Sequence, residues 1–182
     1  MVKALDFLSS KLKTLYFQNR QRSRKINPRL FRKILLAALE NLGVERFELG
    51  IHIVGAAEMT WLNETFLRHK GSTDVITFDY NVGDDVRGLS KKTRKKLESP
   101  HVVSYGLHGE IFLCIDEAIA QAKRFRTSWQ AELARYAVHG VLHLLGHDDT
   151  RAATRRKMKR EEDRVLRELA AQLDLKKIGS EK

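Results

Sequence analysis

The segment His139-Gly-Val-Leu-His143-Leu-Leu-Gly-His-Asp-Asp149 contains the residues whose types and spacing could do chemistry. His139 and His143 are four residues apart, so on a helix they project from one face, with Cβ atoms about 5–6 Å apart, and can share a metal ion. Gly146 permits the left-handed turn that ends a helix and returns the chain toward the two imidazoles. A catalytic zinc site has three protein ligands and a fourth position for water. The spacing therefore predicts a three-ligand metal site.

The third ligand has three candidates, since His147, Asp148 and Asp149 all follow the glycine. Two histidines and one aspartate would make a suitable zinc site. The plain alternative is that the histidines are ordinary polar residues on a core helix. Because burying two imidazoles without a partner is costly, we favour the metal site.

The residues before the histidines predict the helix that positions them. Thr127 and Gln130 have the spacing of a capping box at its start. Apolar residues then recur at helical spacing, at Ala134, Ala137, Val138, Val141, Leu142 and Leu145.

The motif HGVLHLLGHDD resembles the signature of the YbeY family of bacterial endoribonucleases, H-G-x-L-H-L-x-G-[aromatic]-D-H. Two further blocks support the resemblance over most of the chain. Leu62-Asn63 followed by the run TDVITF at 73–78 is similar to the family's L-N-…-T-D-V-L-S-F block, and the run HGEI at 108–111 is similar to its L-G-D-I strand.

The resemblance implies a metal site of His139, His143 and Asp149 that holds one zinc ion, with no catalytic side chain beyond the metal-bound water. Asp149 occupies the position of the family's third histidine, and a carboxylate binds zinc at about the same bond length as an imidazole. His147 stands in place of the family's aromatic residue and is the alternative third ligand.

A second departure concerns substrate binding. Many family members have an arginine, thought to contact the RNA phosphate, four residues after the Asn of the first block, where this chain has Leu67. Arg68, His69 and Lys70 follow directly, and we expect them to supply the basic group. The alternative is that these three residues are a solvated helix end.

Length and charge bound the possibilities. A chain of 182 residues with 42% hydrophobic content predicts one domain over 1–182. Its formal charge of +11 favours a polyanionic partner such as nucleic acid, although basic runs can also be merely solubilising. The segment 81–107 has the composition of a lid loop, and 174–182 is predicted to be a disordered tail.

The periodicity and the resemblance together predict an α/β (α+β) fold, with a small mixed four-stranded sheet, five to six helices and a zincin-like metal site at a helix end. His52 is expected to face outward from a half-buried strand, and Asp116 to cap the helix that it begins. The predicted strands cover 15–19, 47–54, 75–78 and 110–115; beside the histidine helix, the predicted helices cover 28–42, 56–66, 116–125 and 152–173.

Metal-assisted hydrolysis is the chemistry that such a site supports. Gly140 stands where zinc peptidases of the H-E-x-x-H kind have their glutamate base, which argues against a metallopeptidase. The resemblance implies a single-strand-specific endoribonuclease in 3′-end maturation of small-subunit ribosomal RNA and in ribosome quality control. The alternative is a non-catalytic ribosome-assembly factor that binds pre-rRNA or ribosomal proteins around a structural zinc ion.

The expected partners are therefore single-stranded RNA and the ribosome or small-subunit proteins, with no DNA and no membrane.

The single cysteine, Cys114, lies in an apolar run and excludes a disulfide framework. No apolar run reaches the length of a membrane span, so a cytoplasmic protein is expected.

Overall fold

The computed structural model describes residues 13–81 and 106–179. Except for its ends, the expected lid segment 81–107 lies outside the described residues. Within the described ranges, no helix is long and apolar enough to cross a lipid bilayer.

Four strands form one mixed sheet in the order β1-β2-β4-β3. β1 is parallel to β2 and β2 to β4, whereas β3 runs antiparallel to β4. The predicted mixed four-stranded sheet is therefore confirmed. The strands are β1 Lys13–Asn19, β2 Phe47–Val54, β3 Val75–Asp79 and β4 Leu107–Cys114.

The described residues also form five α-helices, which confirms the α+β class. Asn27 caps α1 by accepting a hydrogen bond from Leu30 N at 3.1 Å, and Pro28 takes the first helical position. A π-helical turn at Asn63–Leu67 continues α2. The helices are α1 Pro28–Asn41, α2 Ala56–Leu62, α3 Ile115–Phe125, α4 Trp129–Leu144 and α5 Ala152–Gln172.

The sheet separates two apolar clusters. Ile111 and Leu113 of β4 belong to the larger cluster, whereas Phe112 and Cys114 belong to the smaller one, because successive strand residues face opposite sides. Buried residues of α1, α3, α4 and α5 also belong to the larger cluster. α4 packs on β3 and β4. The histidine helix therefore lies directly against the sheet.

The expectation that His52 faces outward from a half-buried strand is wrong. Because both faces of β2 are covered, His52 is only 8% exposed and stacks on Phe112 with ring centroids 4.5 Å apart. Burial lowers the pKa of the imidazole, and Arg20 lowers it further. The Glu110 carboxylate, 3.4 Å away, and Glu58 raise it. The predicted alternation of buried and exposed residues along β2 failed because the second face of the strand is also covered, and His52 lies in that covered face.

Asp116 is also placed differently from the prediction. It does not cap α3, whose N-cap is Cys114. Its Oδ2 instead accepts from the backbone N–H of Ala56 at 2.7 Å, at the start of α2, and its Oδ1 accepts from Ser23 Oγ at 2.8 Å. The carboxylate thus supplies a cap to a different helix.

The start of α4 is shifted by one residue from the predicted capping box. Ser128, not Thr127, is the N-cap and accepts from the backbone N–H of Ala131 at 3.2 Å. Thr127 Oγ1 donates to Glu132 Oε1 at 2.6 Å instead.

The predicted helix over 152–173 is present as α5, and it packs on the larger cluster through Met158, Val165 and Leu169. The prediction of a disordered tail is wrong for the described part of 174–182. Leu175–Ile178 form a short 3-10 helix, Ile178 is fully buried, and the Ile178 carbonyl accepts from Asn27 N at 2.8 Å. A buried apolar side chain and a backbone bridge therefore anchor this segment.

Candidate metal centre

Three of the predicted site residues lie together. One ligand atom from each of His139, His143 and Asp149 falls within 4.8 Å of the other two. The two histidine Nε2 atoms are 3.0 Å apart, and His139 Nε2 is 4.0 Å from Asp149 Oδ2. The imidazoles therefore turn their Nε2 atoms toward one point on the open side of α4.

The chain reverses immediately after the histidines, as Gly146 predicted. Gly146 has φ +83°, and α4 ends at Leu144. The N–H of Gly146 donates to the His143 carbonyl at 2.9 Å, and the N–H of His147 donates to the Leu142 carbonyl at 3.0 Å. This pair of bonds is a Schellman motif, and it brings the loop with Asp149 back toward the imidazoles.

Glu162 of α5 orients the first imidazole. Its Oε2 lies 3.0 Å from His139 Nδ1. When the ring hydrogen is on Nδ1, the imidazole donates it to Glu162, and Nε2 is free to bind a metal. Its Oε1 accepts from Arg135 Nη1 at 2.6 Å. Glu162 is only 6% exposed, so both of its oxygens are satisfied inside the protein.

The electrostatics of this contact keep the carboxylate charged. Burial alone would raise the pKa of Glu162, but the hydrogen bonds from His139 and Arg135 outweigh it, so the pKa is lowered. Burial likewise acts to lower the pKa of His139, and the Glu162 carboxylate reverses that effect, so the pKa is raised. The charge of Glu162 therefore balances positive charge in the centre.

A backbone carbonyl orients the second imidazole. His143 Nδ1 lies 3.2 Å from the carbonyl oxygen of His147. Burial and the neighbouring His139 lower the pKa of His143, which favours the neutral imidazole that metals bind. The His147 side chain, predicted as the alternative third ligand, is not part of the cluster of potential ligand atoms. It contributes its main chain to the site.

Gly140 lies between the two histidines on the side of α4 that faces the sheet. A β-carbon at this position would lie 2.5 Å from Ile111 Cγ2 and 3.3 Å from Val75 Cγ1. The glycine therefore allows α4 to approach β3 and β4 closely. This contact sets the height of both imidazoles above the sheet.

The donor set fits a zinc ion. Zinc–ligand bonds of about 2.0–2.2 Å in a tetrahedral site would place the ligand atoms about 3.3–3.6 Å apart. The two nitrogens are 3.0 Å apart, His139 Nε2 is 4.0 Å from the carboxylate, and all three ligand atoms lie within 4.8 Å of one another, so the cluster has dimensions close to those of such a site. His139, His143 and Asp149 would then supply three protein ligands to the ion.

A cavity of about 250 Å³ opens beside the cluster. Two helices contribute its cationic residues: α4 contributes Arg135, and α5 contributes Arg155 and Lys159. Arg155 Nε also donates to the Asp149 carbonyl at 2.8 Å. The cavity is lined by Asp74, Arg135, Tyr136, His139, Asp149, Arg155, Met158, Lys159 and Glu162. It can accept an anionic group next to the ligands.

The expected substrate-binding residues lie elsewhere. Arg68, His69 and Lys70 are exposed in the loop after the π-helical turn, where Arg68 has φ 59°, and they are not among the residues that line the cavity. Glu110 lies within β4, lines a separate groove and accepts from Tyr80 OH at 2.9 Å. The role of 68–70 in binding substrate stays a prediction.

The sequence interpretation missed the residues that surround the ligands. Arg135 could have been found, since it precedes His139 by one helical turn and so shares its face. Glu162, Arg155 and Lys159 belong to a highly charged helix in which no spacing distinguishes them from surface residues.

Comparisons with known proteins place most of the chain in one family. The family model described as endoribonuclease YbeY matches residues 16–170. Relatives named endoribonuclease YbeY include a protein of Chlorobium luteolum that is 29% identical over 80% of this chain and 91% of its own length. Another, from Chlorobium phaeovibrioides, is 31% identical over 77% of this chain and 80% of its own length.

A solved structure shares the fold. The solution structure of a Thermotoga maritima protein aligns with a TM-score of 0.56 and 19% identity over 87% of this chain and 91% of that protein. The matched range 16–170 contains the whole metal cluster and most of α5. The chain belongs to the endoribonuclease YbeY family.

Proposed function

We propose that this protein is a metal-dependent endoribonuclease that cleaves phosphodiester bonds of single-stranded RNA at a site with one zinc ion. His139, His143 and Asp149 are the proposed ligands. The observation that carries the proposal is the convergence of these three side chains beside a cavity whose wall includes the exposed cations Arg155 and Lys159.

A zinc ion held by such ligands supplies a water of lowered pKa and a Lewis acid for a phosphoryl oxygen. The protein residues around it hold and orient the substrate. Arg155 and Lys159 are both exposed at the cavity and can bind the phosphate oxygens next to the scissile bond. Arg135 is held by Glu162 and serves mainly to fix that carboxylate.

The proposed biological role is 3′-end maturation of small-subunit ribosomal RNA and ribosome quality control, in the cytoplasm, together with the ribosome or its small-subunit proteins. Membership of the endoribonuclease YbeY family supports RNA as the substrate. The charge of +11 supports a polyanion in the same way.

Cleavage of a fluorescent single-stranded RNA tests the proposal. The zinc-loaded wild type should cleave it, while His143→Ala and Asp149→Ala should lose both zinc and cleavage. His108→Ala is the matched control, because His108 lies on β4, its ring 5.3 Å from that of Tyr80, and does not line the metal cavity. It should retain zinc and activity. Single-stranded DNA of the same sequence should not be cleaved.

The same assay separates the alternatives. Binding of RNA by wild type and His143→Ala, with cleavage by neither, would indicate an assembly factor with a structural metal. Hydrolysis of casein that survives high salt would indicate a metallopeptidase, since salt weakens contacts to phosphates and leaves peptide recognition largely unaffected.

A further inference from the structure

A second groove begins at the loop that follows the metal-binding helix. We call it the α5 groove; its volume is about 440 Å³. His147, two residues before the proposed ligand Asp149, lines this groove. Lys157 and Arg160 of α5 also line it, and in the sequence they flank Lys159, which lines the metal cavity. The groove and the cavity are therefore neighbours along one helix. The α5 groove is lined by His147, Lys157, Arg160, Glu161, Arg164 and Arg167.

The α5 groove is strongly basic. Its side chains include four cations and one carboxylate, which gives a formal charge of +3 with His147 neutral. Arg164 is neutralised locally by Glu161 at 2.5 Å and Glu168 at 2.8 Å. Lys157, Arg160 and Arg167 are exposed and have no ion-pair partner among the described residues. Their charge is available to a ligand.

The cations form a row rather than a pocket. Lys157, Arg160, Arg164 and Arg167 are spaced by three, four and three residues, so they share one face of α5. A helix rises 1.5 Å per residue, so the row from Lys157 to Arg167 is about 15 Å long. A single phosphate would contact only one or two of these side chains. A linear polyanion can contact all of them.

We propose that the α5 groove binds the sugar-phosphate backbone of single-stranded RNA on one side of the bond held at the metal centre. This inference rests on the proposed function. It names the surface that holds the flanking nucleotides, which the metal cavity, at about 250 Å³, is too small to enclose. Arg and Lys side chains along such a groove bind RNA backbone without regard to sequence.

The test compares two triple variants of equal charge change. Lys157→Gln/Arg160→Gln/Arg167→Gln removes the available cations of the α5 groove. Lys25→Gln/Arg29→Gln/Lys33→Gln removes three exposed cations at and before α1 and is the matched control. Binding of a fluorescent single-stranded RNA to zinc-loaded protein is followed by stopped-flow anisotropy, before cleavage, over a series of salt concentrations.

The groove variant should bind RNA at least tenfold more weakly at about 0.1 M salt, and the slope of log affinity against log salt should become shallower by about 2, since each lost contact to single strands contributes about 0.7. The control variant should change affinity less than twofold. Cleavage of a dinucleotide, which is too short to extend from the cavity into the groove, should be equal in all three proteins. Lys157→Arg/Arg160→Lys/Arg167→Lys should restore binding of the long RNA.

Equal losses in the groove variant and the control variant would overturn the proposal, because they would show only a general effect of net charge. No loss in either would overturn it as well. If the wild type binds RNA through the groove but does not cleave it, the nuclease function fails while the groove is still confirmed as an RNA-binding surface.

Discussion

Glu162→Gln is the substitution that tests most directly whether the surroundings of the ligands matter. The carboxylate accepts from His139 at 3.0 Å and from Arg135 at 2.6 Å. A glutamine has one acceptor oxygen for these two donors. If its oxygen faces Arg135, its amide N–H faces His139 Nδ1, and the imidazole must then carry its hydrogen on Nε2, the atom that would bind zinc.

The expected size of the effect follows from this conflict. Loss of a hydrogen-bond partner behind a metal-binding histidine lowers metal affinity about 10–100-fold, which corresponds to about 1.4–2.7 kcal/mol. We expect Glu162→Gln to reach this range because residue 162 is only 6% exposed, which leaves little room for water to replace the missing acceptor. Asp163→Asn is the matched control, since Asp163 also contacts Arg135, at 3.0 Å, but has no contact with His139.

Zinc affinity is measured by competition with a fluorescent chelator, and the optical spectrum of the cobalt-substituted protein reports the ligand geometry. Glu162→Gln should weaken zinc binding and alter the cobalt spectrum, while Asp163→Asn should change neither. Equal zinc affinities in wild type, Glu162→Gln and Asp163→Asn would refute the reasoning that Glu162 orients His139.

Three further predictions concern the fold around the site. Gly140→Ala places a β-carbon 2.5 Å from Ile111 Cγ2, and the resulting overpacking should cost about 1–3 kcal/mol. This cost should outweigh the gain of about 1 kcal/mol in helix propensity. Urea denaturation should therefore show a lower free energy of unfolding, and competition with a chelator should show weaker zinc binding. Burial lowers the pKa of His52 in the folded protein, so protonation of this imidazole favours the unfolded chain, and the free energy of unfolding should fall as the pH drops below about 6.5. The fall in free energy of unfolding between pH 7.5 and 5.5 should be smaller in His52→Phe than in the wild type. An equal fall in both proteins would contradict the lowered pKa of His52. Asp116→Ala removes the acceptor for Ala56 N–H and should lower the free energy of unfolding by about 1 kcal/mol, whereas an unchanged denaturation midpoint would show that the cap contributes nothing.

The sequence predicted the elements whose signals are local. The start of α1 at residue 28 and the return of the chain at Gly146 are both as expected, because a helix start and a positive φ depend on a few adjacent residues. The same reasoning failed where long-range packing decides. Both faces of β2 are covered, which no pattern within the strand reveals, so His52 is buried.

The candidate site shows the same division. The grouping of His139, His143 and Asp149 followed from helical spacing and a resemblance to the family, and the structure brings them together. Glu162 approaches His139 from another helix, 23 residues further along the chain. The contact between Glu162 and His139 depends on how α4 and α5 pack. The sequence does not predict this contact, because α5 contains many charged residues and nothing local distinguishes Glu162 from the others.

The placement of Glu162 on α5 has a consequence for the order in which the protein is made. Synthesis proceeds from the N-terminus, so all three proposed ligands are translated before any residue of Ala152–Gln172. A nascent chain that has passed Asp149 contains every ligand, yet it lacks the carboxylate that orients His139 and the helix that forms one wall of the cavity. The proposed metal centre is therefore complete only when α5 has docked on α4 and Glu162 has reached His139.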